Sequence, residues 1–181
     1  MSDLEMTAEP ILSPMIKGEE TNLTRGQQVI IALWMIKVAM VLDSMNSHIN
    51  FFEESERFHF RKTSLPPGYL SFWLGYYSGS YWSAFTSHRI LTNDQSIPPY
   101  KSYVLTMSFG RLVLQLCNNK FATFRGSVAE KFEVRNGSWS IIELNPHLEH
   151  SIRWPPNDPT FNDSEQTLDT FSERFGGPRR E

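Results

Sequence analysis

The chain has 181 residues, 40% apolar and 20% charged, with a formal net charge of −3. That length suits about one domain, able to bury roughly 70% of the surface its unfolded chain would expose, and the composition excludes a disordered polypeptide. The charge supplies no strongly basic stripe for a salt-driven grip on nucleic acid or anionic lipid, and the single cysteine, Cys117, excludes an internal disulfide or a cysteine-rich zinc site.

The amino terminus, MSDLEMTAEP, is acidic and lacks the basic-then-apolar order of a secretory signal. The expected location is therefore the reducing cytoplasm, where the N-x-S/T triplets at Asn22, Asn136 and Asn162 are chance matches. Residues 1–8 read as a short helix that Pro10 and Pro14 end or redirect, and Lys17-Gly18 marks a turn.

Thr24 and Gln27 form a capping-box pattern, so a long helix is expected over about residues 24–45. At 100° per residue, Ile30, Ile31, Trp34, Met35, Val38, Val41 and Leu42 fill a broad arc expected to face the core. Gln28, Ala32, Ala39, Asp43 and Asn46 gather on a narrower strip that is wet or close-packed, and Lys37 sits at the edge between the two. A membrane span needs about 20 predominantly apolar residues, and a mid-bilayer lysine is costly. The run of residues 29–42, interrupted by Lys37, therefore reads as the central helix of a core, with no membrane partner.

SMNSHIN is loop-like, and FEESERFHFRK reads as a short amphipathic helix with acids early and bases late, as the helix dipole favours. Pro66-Pro67-Gly68 stops it, and the period then changes to two. YLSFWLGYY is a strand with both faces partly covered, and after a turn at Gly79 the segment YWSAFTSHRIL is expected as its hairpin partner. NDQSIPPY is a loop. In YVLTMSFGRLVLQL the apolar parity switches across Gly110, which predicts a bulge, a bend or a tight hairpin there.

Asn136-Gly137, between KFEVR and SWSIIEL, is a strong hairpin signal. Asp163 or Ser164 caps an expected last helix to about Phe175, and GGPRRE is expected to fray. Helices first and antiparallel strands after predict an α+β fold: one domain over residues 1–175, with a long central helix packed on an aromatic-rich, mainly antiparallel sheet, and a flexible tail over 176–181.

Taken in order, MSDLEMTAEPILSPMIKGE, LTRGQQVIIALWMIKVAMVLD, FFEESER, PPGYLSFWLGYYSG, YVLTMSFGRLVLQL and the closing WPP resemble a group of uncharacterised bacterial proteins. In those proteins a zinc-binding, HNH-like amino-terminal module precedes a helical and β-rich part. The resemblance covers most of this chain and rests on packing patterns, while the zinc module that carries the nuclease chemistry has no counterpart here. It implies the companion half of such a protein, begun at an internal methionine or encoded separately, and it transfers no functional residue.

Few clusters invite chemistry. His48-Ile49-Asn50 lacks the partners that a metal-assisted nuclease needs and reads as a loop. His147 and His150, with Glu149 between, offer two ligands and no third. Glu53, Glu54 and Glu56 read as helix-start acids, Cys117 as a small buried side chain, and Lys37 as an edge lysine rather than a catalytic amine. No phosphate-binding glycine loop or nucleophile elbow is present.

The most suggestive group is Trp73, Tyr77, Tyr81, Trp82, Phe85, His88 and Arg89, to which Arg111 adds a second base. Rings on a sheet beside a cation can stack nucleobases or line a ligand cup, and they can equally pack against the long helix as core. Two functions of different class follow. One is a non-catalytic accessory domain that contacts a zinc/HNH-like module, a nucleic acid or another protein partner, with no metal or other cofactor of its own. The alternative is a stand-alone small-molecule binder or enzyme using residues 73–89 and Arg111.

Overall fold

The computed structural model describes residues 3–45, 52–63, 66–80, 83–90, 102–118, 140–145, 150–160 and 162–163, with backbone alone for 63, 83–90 and 102–103. The elements run α1 (Asp3–Lys17), β1 (Thr21–Leu23), α2 (Arg25–Met45), α3 (Glu54–Thr63), β2 (Leu70–Tyr76), β3 (Ser83–Ile90), β4 (Ser102–Phe109), β5 (Leu112–Asn118), β6 (Ile141–Leu144) and β7 (Ile152–Trp154). The fold is α+β, with helices packed on an antiparallel sheet of order β3-β4-β5-β2-β6 and a two-stranded β1-β7 ribbon alongside. The expected Asn136-Gly137 turn, the helix from residue 163 or 164 to 175 and the 93–100 loop lie outside the described residues.

α1 does not stop at its prolines. It continues through Pro10 and Pro14 to Lys17. Each proline removes one backbone donor, at a cost of up to about 3 kcal/mol in a helix interior. The opposing term is burial of Ala8, Ile11, Leu12 and Met15 on one face, since an apolar side chain fully removed from water contributes about 1.5–3 kcal/mol. The helix ends at Gly18, at φ 86°. There the Gly18 N–H donates to the Met15 carbonyl (3.0 Å) and the Glu19 N–H to the Pro14 carbonyl (2.9 Å), which satisfies two carbonyls of the last turn.

The capping box forms as expected. The Gln27 N–H donates to Thr24 Oγ1 (3.3 Å), and the Thr24 N–H donates to Gln27 Oε1 (2.9 Å). α2 is long and apolar enough to cross a bilayer by length and composition, and it is the core helix of this fold, with Ile31, Ala32, Met35, Ile36 and Ala39 buried. The expected core arc holds at Ile31 and Met35, both fully buried, and fails at Val41, which is 50% exposed. The strip of small and polar residues is close-packed, with Gln28, Ala32, Ala39 and Asp43 at 0–2% exposure. The alanines lack bulk to hold a neighbouring element away, and the two polar ends find partners. Gln28 Nε2 donates to the His150 carbonyl at 2.7 Å, and Asp43 accepts from α3 and from the Phe52 N–H.

The expected β2–β3 hairpin is not formed. β2 pairs with β5 from Leu70↔Asn118 to Tyr76↔Leu112 and, on its other edge, with β6. β3 instead pairs with β4 at the far edge of the sheet. A strand apolar on both faces gains most at the centre of a sheet. β3, which carries Ser83, Thr86, Ser87, His88 and Arg89, has the polar composition tolerated at an edge.

The parity switch at Gly110 is a tight hairpin, with Phe109 opposite Leu112 and Gly110-Arg111 as its turn. Gly110 takes φ 53°, and a Cβ there would sit 2.4 Å from the Ile16 carbonyl oxygen. The next residue, Arg111, donates its N–H to that same carbonyl at 2.9 Å, which docks the hairpin tip on the end of α1. One sheet face, with Phe72, Leu74, Leu105, Met107, Leu112, Leu114 and Leu116, joins the helices in the main core. The other buries Trp73, Val104 and Cys117, and beside them Gln115 donates across the strands to Thr106 at 2.9 Å.

Candidate functional site

α3 is fixed at its start by Glu56, whose carboxylate accepts from the Glu53 N–H at 2.8 Å and also from the Tyr69 hydroxyl. Burial first, and then the Glu56 carboxylate, push the Tyr69 phenol above its ordinary range. The next residue, Arg57, ties α3 to the end of α2. Its guanidinium pairs with Asp43, donates to the Met40 carbonyl at 3.0 Å, and reaches the Phe52 carbonyl through Nε at 3.3 Å. The Asp43 side chain is wholly buried and that of Arg57 is 26% exposed.

Beside this clamp lies a cleft of about 630 Å³ between the three helices. Asp3 and Leu4 of α1 form one wall, and Leu33, Lys37 and Val41 of α2 form the second. Arg57, Phe60 and Arg61 of α3 form the third. A second cleft, of about 560 Å³, adjoins it at a ridge made by Arg57 and Arg61 and is lined by these two with Glu54, Ser55 and Phe58, all on α3. Lys37 has a partner that its sequence neighbourhood does not reveal, Glu5 on α1, at 2.7 Å. Lys62 sits 4.4 Å from the centre of the Phe58 ring. Arg61 makes no hydrogen bond or ion pair among the described residues.

The aromatic group proposed from sequence is distributed over the sheet. Trp73 is buried in β2 beside Val104 and Cys117, and Tyr77 is buried just past the strand end. Tyr81 and Trp82 lie outside the described residues. Within β3, which carries Phe85 as well, His88 and Arg89 pair by backbone register with Val104 and Tyr103. Two of the named residues do come together. Tyr77 and Arg111 meet at the turn after β2, where the Tyr77 N–H donates to the Arg111 carbonyl and Arg111 Nη1 donates to the Gly79 carbonyl at 2.7 Å.

That turn is tied to Asp163. Its carboxylate accepts from the Ser80 N–H (2.8 Å), the Ser80 hydroxyl (2.6 Å) and the Tyr77 hydroxyl. The Ser80 hydroxyl, then the Tyr77 hydroxyl, hold Asp163 below the ordinary aspartate range. Thr160 adds a second tie, with its N–H on the Tyr76 carbonyl at 2.7 Å and its hydroxyl oxygen accepting from the Tyr76 N–H at 2.8 Å. These bonds hold distant parts of the chain together, and the arrangement reads as a fastening.

No family model, curated protein or solved structure matches this chain. Among the described residues no group of three or more His, Cys, Asp or Glu side chains is placed to hold a metal ion. His150 contributes its backbone carbonyl to Gln28, and His48, His147 and Glu149 lie outside the described residues. Of the exposed residues lining the two clefts, Arg61 and Phe58 did not stand out in the sequence, and Val41 was expected to face the core. The only trace of them was the late bases of FEESERFHFRK, which the helix dipole accounts for equally well.

Proposed function

We propose that this chain is a non-catalytic interaction module of the cytoplasm, the companion of an HNH-like zinc module, and that it meets its partner at the three-helix cleft. One observation carries the reading. Of the four large apolar side chains exposed among the described residues, Val41, Met45 and Phe58 stand on the parts of α2 and α3 that border the clefts. Exposed apolar groups collected beside cations are what a protein contact surface needs, whereas scattered ones carry no such meaning. The resemblance to the zinc-module proteins supports the choice of partner. There the module precedes the segment like MSDLE, and in this chain Asp3 and Leu4 form one wall of the cleft.

Sedimentation of the chain with an HNH-like zinc module supplied as a separate polypeptide tests the proposal. A joint species is expected, with no cleavage of DNA by the chain alone in magnesium or zinc. Cleavage by the chain alone, or failure to associate with the zinc module, contradicts it.

A further inference from the structure

We infer that the two clefts flanking Arg57 and Arg61 receive a helical segment of the protein partner, with apolar side chains one turn apart and a carboxylate set against Arg61. This deepens the interaction reading and rests on it.

Shape comes first. Each cleft, at about 630 and 560 Å³, has the size of a single small-molecule pocket. The two share Arg57 and Arg61, with Phe60 lining one and Phe58 the other. A small ligand would fill one of them, whereas a segment lying across the ridge engages both. Val41 and Met45, at 50% and 78% exposure, are one helical turn apart on α2 and extend the apolar surface beyond the first cleft. Helix-in-groove recognition reads such a surface with side chains at i, i+3 and i+4.

Charge then selects the chemistry. Arg57 is committed to Asp43 and to the Met40 and Phe52 carbonyls, and Lys37 to Glu5. Arg61 is the lining cation that makes no such bond among the described residues. A nucleic acid would bring a row of phosphates, yet Asp3 lines the first cleft and Glu54 the second. Like charges at those positions repel a polyanion and leave a single carboxylate at Arg61 as the matching group.

The probe is a fluorescein-labelled helical peptide of leucines at i and i+4 spacing interspersed with glutamates. Its counterpart carries lysine for every glutamate. Polarisation with the full chain should show the glutamate peptide binding about tenfold or more tighter than the lysine peptide, the scale of one well-placed charge pair. Arg61→Glu should reverse that preference, a result that misfolding cannot produce, and Val41→Ser should weaken both peptides alike. Equal affinity for the two peptides, or no binding of either, overturns the assignment. So does binding of single-stranded DNA or of laurate that Arg61→Glu abolishes while the peptides fail to compete. Peptide failure with the zinc module still sedimenting with the chain sinks the cleft assignment alone, and loss of both sinks the interaction reading as well.

Discussion

Arg57 closes over Asp43 where α2 ends, and the carboxylate it meets is wholly buried. The pair joins two helices whose sequences give no hint of one another. Removing Arg57 takes a cationic partner from a buried carboxylate, and breaking a buried pair in this way typically costs about 3–5 kcal/mol. Arg57→Met should lose stability of that order in urea unfolding. Asp43→Asn should cost less, because Arg57 is partly exposed and can be hydrated. The double variant Asp43→Leu, Arg57→Met should be more stable than Arg57→Met alone, since the buried carboxylate is then removed with its cation.

The contact of Gly110 with Ile16 makes a second expectation. A side chain at Gly110 meets both a positive φ and a carbonyl oxygen at 2.4 Å, whereas at Gly18 the nearest atom is the flexible Arg111 Cγ at 3.1 Å. The left-handed conformation alone costs a residue with a Cβ about 1–2 kcal/mol. Gly110→Ala should therefore destabilise by more than Gly18→Ala in the same unfolding assay, and the reverse order would contradict the docking of the hairpin on α1.

Pro10 is exposed within α1 and denies the Met6 carbonyl its usual helical partner. Pro10→Ala restores that donor and removes a penalty of up to about 3 kcal/mol, offset by about 0.4–1 kcal/mol of extra unfolded-state freedom. A net gain in stability of about 1–2 kcal/mol is expected on thermal unfolding. A loss would mean that the proline shapes α1 for its packing.

Asp163 provides a pH signature. Its folded value is lowered, so its ties to Ser80 and Tyr77 stabilise the fold above the ordinary aspartate value near 3.8 and are lost as the pH falls through the lower folded value. Carboxyl NMR should place its midpoint below that of an ordinary aspartate, and Ser80→Ala should move it back up. An unshifted midpoint would show that the fastening does not hold in solution.

Local signals were legible in the sequence, and non-local partners were not. Thr24 with Gln27 and the parity switch at Gly110 each involve residues a few positions apart, and both formed as expected. The pairing of β2 with β5 joins residues as distant as Leu70 and Asn118, and β1 with β7 joins Thr21 to Trp154. Periodicity identifies a strand and says little of its neighbour. The buried face of α2 was legible at Ile31 and Met35 and not at Val41, for a related reason. Apolarity ranks Val41 above Ala32 and Gln28, but the seam also follows close approach and the distant His150 carbonyl. The clefts escaped notice because three separated helices build them, and Glu5, which occupies Lys37, lies 32 positions away.

The central claim is that α2 and α3, rather than the β2–β3 region, form the contact surface. Hydrogen–deuterium exchange of the chain with and without the HNH-like zinc module measures this most directly. Protection is expected in the halves of α2 and α3 that carry Lys37, Val41, Phe58 and Arg61, with β2 and β3 unchanged. Protection at Trp73, Tyr77, His88 and Arg89 with the cleft unaffected would contradict it.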